Sequence, residues 1–162
     1  MKITIDPFDS KSIEKALNAI KEYERDFQNK EREFVRRLAE IGVSVAETGF
    51  SLADYDGEND VQVSWSQSGP FATVIAFGQT VGFIEFGTGI RYKEYDSSGL
   101  EYTPPAHGTY GKGRGANPKG WWFSNGPGSS MHTYGNQPAE AMLTARNEMI
   151  TQVARIAREV WG

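Results

Sequence analysis

Apolar residues return at intervals of seven near the start of the chain, and this spacing constrains the fold more than any other feature. One row holds Ile13, Ile20, Phe27, Phe34 and Ile41, and a second row holds Leu17, Leu38 and Val45 with Glu24 and Glu31 between them. Such spacing is typical of an amphipathic helix. It predicts a helical region over 10–47, either one helix from 12 to 47 or two helices hinged at 28–30.

The sequence leaves two alternatives for what this helix packs against. A sustained heptad is compatible with a coiled coil, but the second row is only half apolar, which favours a long amphipathic helix lying on a sheet or a neighbour. Ser10 or Ser12 is placed to cap the start, with Glu14 adding a favourable charge in the first turn.

The period changes from seven to two after an acidic loop at 53–60. Val61, Val63 and Trp65 alternate with polar residues, which predicts a half-buried strand. A second strand is expected over 72–78, after a turn at 68–70. The following segment, "FIEFGTGI" at 83–90, fits either a third strand or a short helical turn, and the whole of 61–88 is interpreted as the strand region.

A glycine-rich stretch over 89–135 has no clear periodicity, and long stretches of this kind usually serve function or become ordered on binding. Within it, 100–103 and 120–124 are candidates to pair as a hairpin. A last helix is expected over 136–161, capped by Asn136 or Gln137 with Pro138 in its first turn. Its apolar face would hold Met142, Leu143, Met149, Ile150, Val153, Ile156 and Val160. Together these elements predict one α+β domain spanning 1–162.

Composition removes several classes of function. The chain has no cysteine, which excludes disulfides, thiolate zinc sites and thiol catalysis. We expect no signal peptide and no membrane span, because no apolar stretch is long enough. The net charge of −4 argues against general affinity for duplex DNA.

Searches for catalytic motifs also fail. Lys112 follows Gly111, but Gly113 stands where a phosphate-binding loop needs Ser or Thr, and the Gly-Thr-Gly at 87–89 lacks the third glycine of a dinucleotide fingerprint. His107 and His132 lack metal-ligand spacing and are interpreted as loop histidines. We therefore expect no enzyme activity, no cofactor and no metal.

Carboxylates remain the only candidates for acid–base chemistry. Asp54, Asp56, Glu58 and Asp60 alternate like a calcium loop, but the glycine and terminal glutamate of that loop are missing, so a solvated loop is favoured. Glu85 has apolar neighbours and would be a catalytic acid if buried in a cleft. The favoured interpretation is structural: Glu85 caps the backbone N–H groups of Gly87 and Thr88.

Cations and aromatic residues alternate in one part of the glycine-rich stretch. The candidate interface loop consists of Tyr110, Lys112, Arg114, Lys119, Trp121, Trp122 and Phe123. This composition suits a protein interface, and it also suits stacking on single-stranded nucleic acid or a glycan. The alternative is that both tryptophans fold back onto the core.

Two separated segments resemble one known family. "FIEFGTG" at 83–89 resembles a signature of the siphophage head–tail joining family, which comprises neck, tail-component and minor structural proteins. "HTYGNQPAEAMLTARNEM" at 132–149 is similar to the closing motif of that family, although Ala141 stands where a proline is usual. The residues that match are Glu85, Phe86, Gly87, Thr88, Gly135, Pro138, Met142, Leu143 and Ala145.

The resemblance implies a virion structural protein at the head–tail junction, made in the host cytoplasm. Its partners would be copies of itself in a ring and the neighbouring head-completion and tail proteins, with phage DNA in the channel as a further contact. In this setting "FIEFGTGI" is expected to be a core element followed by a structural turn. The competing hypothesis is a single-stranded nucleic acid or glycan binding module that uses the loop from Tyr110 to Phe123.

Overall fold

The protein has an α+β fold, and the part of the chain that the structure describes contains two long helices, one short helix and two antiparallel hairpins. The computed structural model describes residues 3–53, 55, 57–88, 119–124, 126–136 and 138–162. In chain order its elements are α1 (Ser10–Ser51), β1 (Gln62–Ser68), β2 (Phe71–Phe77), α2 (Val81–Phe86), β3 (Trp121–Ser124), β4 (Ser130–Thr133) and α3 (Ala141–Trp161). The predicted α+β class, with helices at both ends and small antiparallel sheets between them, is confirmed.

Helix α1 is one continuous element of 42 residues, so the first of the two alternatives, a single helix, is confirmed, and the alternative with a hinge at 28–30 is wrong. Neither proline nor glycine occurs between Ser10 and Ile41, so nothing in this stretch interrupts the helical hydrogen bonds. Its cap is Asp9, whose side chain accepts a hydrogen bond from the N–H of Lys11 at 3.0 Å, and not Ser10 or Ser12. The hydroxyl of Ser12 instead accepts a bond from the N–H of Asp6.

Strands β1 and β2 form a hairpin that lies against α1. Their register runs from Gln62 opposite Phe77 to Ser68 opposite Phe71. The two-residue connection places Gly69, with φ of 60°, at the position where a type II′ turn calls for glycine. Side chains alternate between half-buried and exposed along both strands, as the sequence predicts for the first of them.

Helix α3 packs antiparallel along the C-terminal half of α1. Gly49 lies against Ala141 at one end, and the rings of Phe34 and Trp161 are 5.1 Å apart at the other. Arg37 and Glu159 form an ion pair across the same interface. The main core cluster lies where the C-terminal end of α1, the start of α3 and α2 meet, and it comprises Ala46, Phe50, Ile84, Ala141 and Ala145. Small side chains dominate this cluster, which lets the two helix backbones approach closely.

The first half of α1 extends past the end of α3. We call residues 10–33 the arm. Within it only Ala16 is buried, while the side chains of Ile13, Leu17, Ile20 and Phe27 are 40–53 % exposed. The heptad row therefore has two environments: Phe34 contacts Trp161 of α3 and Ile41 is half-buried, whereas the first members of the row are exposed.

The remaining predictions for the middle of the chain have mixed outcomes. The segment 83–88 is not a third strand, since 81–86 is helical. Strand β3 pairs with β4, from Trp121 opposite Thr133 to Ser124 opposite Ser130. The partner predicted for this strand, 100–103, lies outside the described residues. The last helix begins at Ala141 and not at 136, because residues 134–136 and 138–140 are not helical and form backbone hydrogen bonds with α2 and Thr88 instead. Gln137, the other predicted cap, lies outside the described residues.

Candidate functional site: the junction between α2 and the start of α3

The two segments that carry the family resemblance meet in space, and we call residues 83–88 together with 133–136 and 138–143 the junction. Three backbone hydrogen bonds join them: Thr88 N–H to the carbonyl of Asn136 at 2.9 Å, Ala139 N–H to Ile84 at 2.8 Å, and Glu140 N–H to Glu85 at 3.3 Å. These bonds fix the position of α2 relative to the start of α3. The segments are about 50 residues apart in sequence, so the junction is a tertiary feature.

Glu85 is the charged centre of the junction. It is 3 % exposed, and its two carboxylate oxygens accept hydrogen bonds from the N–H groups of Met142 at 3.1 Å and Leu143 at 3.3 Å. The prediction that it caps Gly87 and Thr88 is therefore wrong. The residue that precedes α3, Glu140, has φ of 48° and makes no side-chain cap. Glu85 thus provides the cap for α3 from a distant part of the chain.

The environment of Glu85 acts on its protonation in two directions. Burial raises the pKa of the Glu85 carboxyl above its ordinary value, while the hydrogen bonds from Met142, Leu143 and Ala141 lower it, and the nearby Glu140 raises it further. Burial is the largest of these effects, so the net shift is upward. A buried carboxyl with occupied oxygens fits a structural role, since a catalytic acid needs access to a substrate.

Gly87 and Pro138 form the tightest contact of the junction. Gly87 has φ of 69°, and a Cβ atom there would lie 2.7 Å from the Cδ of Pro138 and 2.8 Å from the carbonyl oxygen of Asn136. Only glycine fits this position without a shift of the backbone. Gly87 therefore marks a close approach between two chain segments, and Gly89 lies outside the described residues.

Thr88 and Asn136 form a buried polar pair beside that contact. The hydroxyl of Thr88 donates to the side-chain oxygen of Asn136 and accepts a bond from its N–H at 3.2 Å. The side-chain amide of Asn136 donates to the carbonyl of Phe83 at 3.1 Å. The prediction that Asn136 caps α3 is therefore wrong. Asn136 instead connects the segment before α3 to Phe83 within α2 and to Thr88 just after it. The sequence does not predict this role of Asn136, because no local pattern indicates that the residue is buried.

The other residues matched by the resemblance also lie in or beside the junction. Ala145 and Leu143 are buried in α3, Met142 packs against the core cluster, and Pro138 is buried. Gly135, with φ of 95°, donates its N–H to the hydroxyl of Thr133 at 2.9 Å. The structure therefore brings both groups of motif residues into one region.

The candidate interface loop is only partly described. Tyr110, Lys112 and Arg114 lie outside the described residues. Among the rest, Trp122 is 70 % exposed, Lys119 is exposed, and Trp121 and Phe123 are half-buried. The ring of Trp122 meets that of His132 edge-on at 5.1 Å, and His132 meets Tyr134 at 4.9 Å. The alternative that both tryptophans pack into the core is wrong for Trp122.

The acidic loop has a structural role where it is described, and Asp54 and Asp56 lie outside that part. Asp60 accepts hydrogen bonds from the N–H groups of Gln79 at 2.7 Å and Thr80 at 3.0 Å, and from the hydroxyl of Thr80. These bonds, the hydroxyl first, lower the pKa of Asp60. Asp60 thus holds the turn that leads into α2, while Glu58 is exposed.

The described part of the chain has an open cleft with few titratable side chains around it. An open cleft of about 470 Å³ at the end of α1 is lined by Glu47, Phe50, Ser51, Asn59, Val61, Gln62 and Val63, where Glu47 is the only titratable side chain among the described lining residues. No group of three or more His, Asp or Glu residues suited to a metal occurs among the residues described. Of the helices described, none is long and apolar enough to cross a membrane.

Comparison with known proteins adds no relative to this geometry. Neither a protein-family model nor a curated protein nor a solved structure matches the chain.

Proposed function

We propose that the chain is a non-enzymatic structural protein of a phage virion. In this proposal it is a head–tail connector, neck or tail-completion component that assembles into a ring at the head–tail junction. The host cytoplasm is where it is made and assembled. Its partners are other copies of itself and the neighbouring head-completion and tail proteins, with phage DNA in the channel as a further contact.

The observation that carries this proposal is the junction itself. The resemblance to the head–tail joining family rests on two motifs that are far apart in sequence, and a chance likeness gives no reason for them to touch. Here Glu85, Gly87 and Thr88 of the first motif contact Asn136, Pro138 and Met142 within or beside the second. A shared packing arrangement gives both motifs one structural reason to occur together.

The chemistry of Glu85 supports a role without catalysis. Both of its oxygens are engaged by backbone N–H groups, and its side chain is enclosed. Asp60 likewise binds a turn. Both carboxylates therefore have a structural role in the fold, which is consistent with a protein that functions by assembly.

Exposed apolar surface supports assembly. The outward face of β2 presents Phe71, Ile75 and Phe77, which are 43–74 % exposed, in addition to the exposed row on the arm. Large apolar side chains gathered on one face are typical of protein–protein contacts. A ring needs two different complementary surfaces on each protomer, because its contacts are head-to-tail.

Deletion of the gene from the phage that encodes the chain tests this proposal. We expect negative-stain microscopy of the lysate to show separate heads and tails, and expression of the wild-type gene from a plasmid to restore joined particles. Two further plasmids carry the gene with Gly87→Ala, which disrupts the junction, or with the control change Gly82→Ala. The Gly87→Ala plasmid should restore fewer joined particles than the Gly82→Ala plasmid. Normal infectious particles from the deletion would contradict the head–tail role.

The second candidate is a module that binds single-stranded nucleic acid or a glycan, and the exposure of Trp122 favours it. Its ring, the imidazole of His132 and the exposed Lys119 lie on the β3–β4 ribbon or next to it. Titration of the isolated protein with poly-dT and with a chitin oligosaccharide, followed by tryptophan fluorescence, tests this candidate. Binding that is lost in Trp122→Ala would support it, and no quenching with either probe would exclude it for these ligands.

A further inference from the structure

The arm of α1 has an exposed apolar face that continues the surface covered by α3. Ile13, Leu17, Ile20 and Phe27 belong to the same helical face as Phe34, which the end of α3 covers through Trp161. The face is thus continuous with an existing helix–helix interface and changes from covered to exposed where α3 ends. A helix that follows the line of α3 would cover the rest.

We propose that the arm pairs with the arm of a second copy of this chain as an antiparallel coiled coil. The dimer axis would pass between residues 18 and 19, so that Leu17 of one arm packs against Ile20 of the other, and the reverse. The partner arm then runs in the same direction as α3 and continues its path along α1. This pairing is independent of the proposed virion role.

The charges beside the apolar face support a second copy as the occupant. Glu14 and Lys21 both flank the face on the same side and are seven residues apart. In an antiparallel pair, residues at this position of the heptad meet their equivalents on the partner helix. With the axis between 18 and 19, Glu14 of each arm therefore lies beside Lys21 of the other, which gives two opposite-charge contacts.

The same charges also select the register. If the register of the two arms shifts by one heptad so that the dimer axis moves toward the N-terminus, Glu14 lies beside Glu14 of the partner. A shift of one heptad in the other direction places Lys21 beside Lys21 of the partner. Like charges in these positions are unfavourable. Only the middle register combines opposite charges with contact between Leu17 and Ile20. In this register Glu24 lies opposite Ile13, which limits the affinity of the pair.

Isologous pairing of this kind closes on itself at two copies. It leaves the outward face of β2 uncovered and therefore does not compete for the surfaces available to head-to-tail contacts. The expected particle has twice the 18.0 kDa mass of one chain.

Sedimentation of the purified full chain over a range of concentrations, together with charge variants, tests the pairing. We expect a monomer–dimer equilibrium in the wild type. Glu14→Lys or Lys21→Glu alone should weaken it roughly tenfold, because each places two like-charge contacts at the interface. The double variant Glu14→Lys/Lys21→Glu exchanges the charges and should restore the wild-type dissociation constant.

Two controls make the same charge changes on the opposite side of the arm. Glu22→Lys and Lys15→Glu should leave the dimer unchanged, and far-UV circular dichroism should show full helix content in every variant. Glu24→Leu should strengthen the dimer at least tenfold, since it replaces a charge that faces Ile13. A monomer at all concentrations, or a double variant that stays as weak as the single variants, would overturn the proposal.

Discussion

The carboxylate of Glu85 accepts a hydrogen bond at 3.3 Å from the N–H of Leu143, which lies 58 residues further along the chain. A second bond joins it to the N–H of Met142 at 3.1 Å. The first turn of α3 is thus completed by a side chain from α2, and the stability of α3 is coupled to the position of α2.

Removal of the Glu85 carboxylate should destabilise the fold. Glu85→Ala leaves buried N–H groups at the start of α3 without their acceptor, and we expect a loss of about 1–3 kcal/mol in the free energy of unfolding. Glu85→Gln keeps one acceptor oxygen and should lose less. Urea unfolding at neutral pH measures both. The control Glu22→Ala, on the exposed arm, should change stability by less than about 0.5 kcal/mol. Equal effects of Glu85→Ala and Glu22→Ala would contradict the capping role.

The upward shift of the Glu85 pKa predicts a dependence of stability on pH. Burial raises this pKa above 4.5, its ordinary value, so the folded chain keeps the proton at pH values where the unfolded chain has released it. The contribution of Glu85 is therefore full below that ordinary value and decreases as the pH rises through the folded-state pKa. Unfolding free energies from about pH 4.5 to pH 8 should fall more in the wild type than in Glu85→Gln. Parallel curves for the two proteins would show that the shift is absent.

Alanine at Gly87 should be far more costly than alanine at Gly82, although both residues lie at α2. Gly87 has φ of 69°, and an added Cβ would meet Pro138 and Asn136 within 2.8 Å. We expect a loss of about 2–4 kcal/mol from backbone strain and overpacking together. A Cβ at Gly82 meets no heavy atom within 4 Å, so Gly82→Ala should be neutral or slightly stabilising. Thermal unfolding of the two variants tests this, and similar melting temperatures would argue against the close contact.

A second pair of glycines probes the α1–α3 interface. A Cβ at Gly49 would lie 2.7 Å from the Cβ and 3.0 Å from the Cα of Ala141, and a backbone atom cannot move without displacing α3. At Gly42 the nearest atom is the sulfur of Met149 at 2.6 Å, which belongs to a flexible side chain. Alanine adds helix propensity of about 1 kcal/mol at both sites. We therefore expect Gly49→Ala to destabilise by about 1–3 kcal/mol and Gly42→Ala to be near neutral, as chemical unfolding would show.

The two adjacent tryptophans should respond differently to truncation. Trp122 is 70 % exposed, so Trp122→Ala should cost no more than about 1 kcal/mol, mostly from its lost contact with His132. Trp121 is half-buried, and Trp121→Ala should cost about 2 kcal/mol or more. Differential scanning calorimetry of both variants measures this difference. If Trp122→Ala proved the more damaging change, the orientation of the β3–β4 ribbon would be contradicted.

Local periodicity predicts α1 and the β1–β2 hairpin of this chain. The heptad row from Ile13 to Ile41 predicts α1, and the alternation at Val63 and Trp65 predicts β1, because each pattern depends on residues that are neighbours within one element. The turn at 68–70 follows from glycine and proline chemistry in the same way. The α+β class is a consequence of these elements.

Tertiary structure alone decides the junction. Asn136 with Pro138 two residues later is a sound local signal for a helix start, yet the helix begins at Ala141 because Asn136 binds Thr88 and Phe83 instead. Glu85 is likewise near Gly87 and Thr88 in sequence but binds the start of α3. Local rules give each polar group a choice of nearby partners. Burial of Ile84 against Ala141 and Ala145 brings the N–H groups at the start of α3 close to Glu85. The buried polar groups then bind the partners that this packing places beside them.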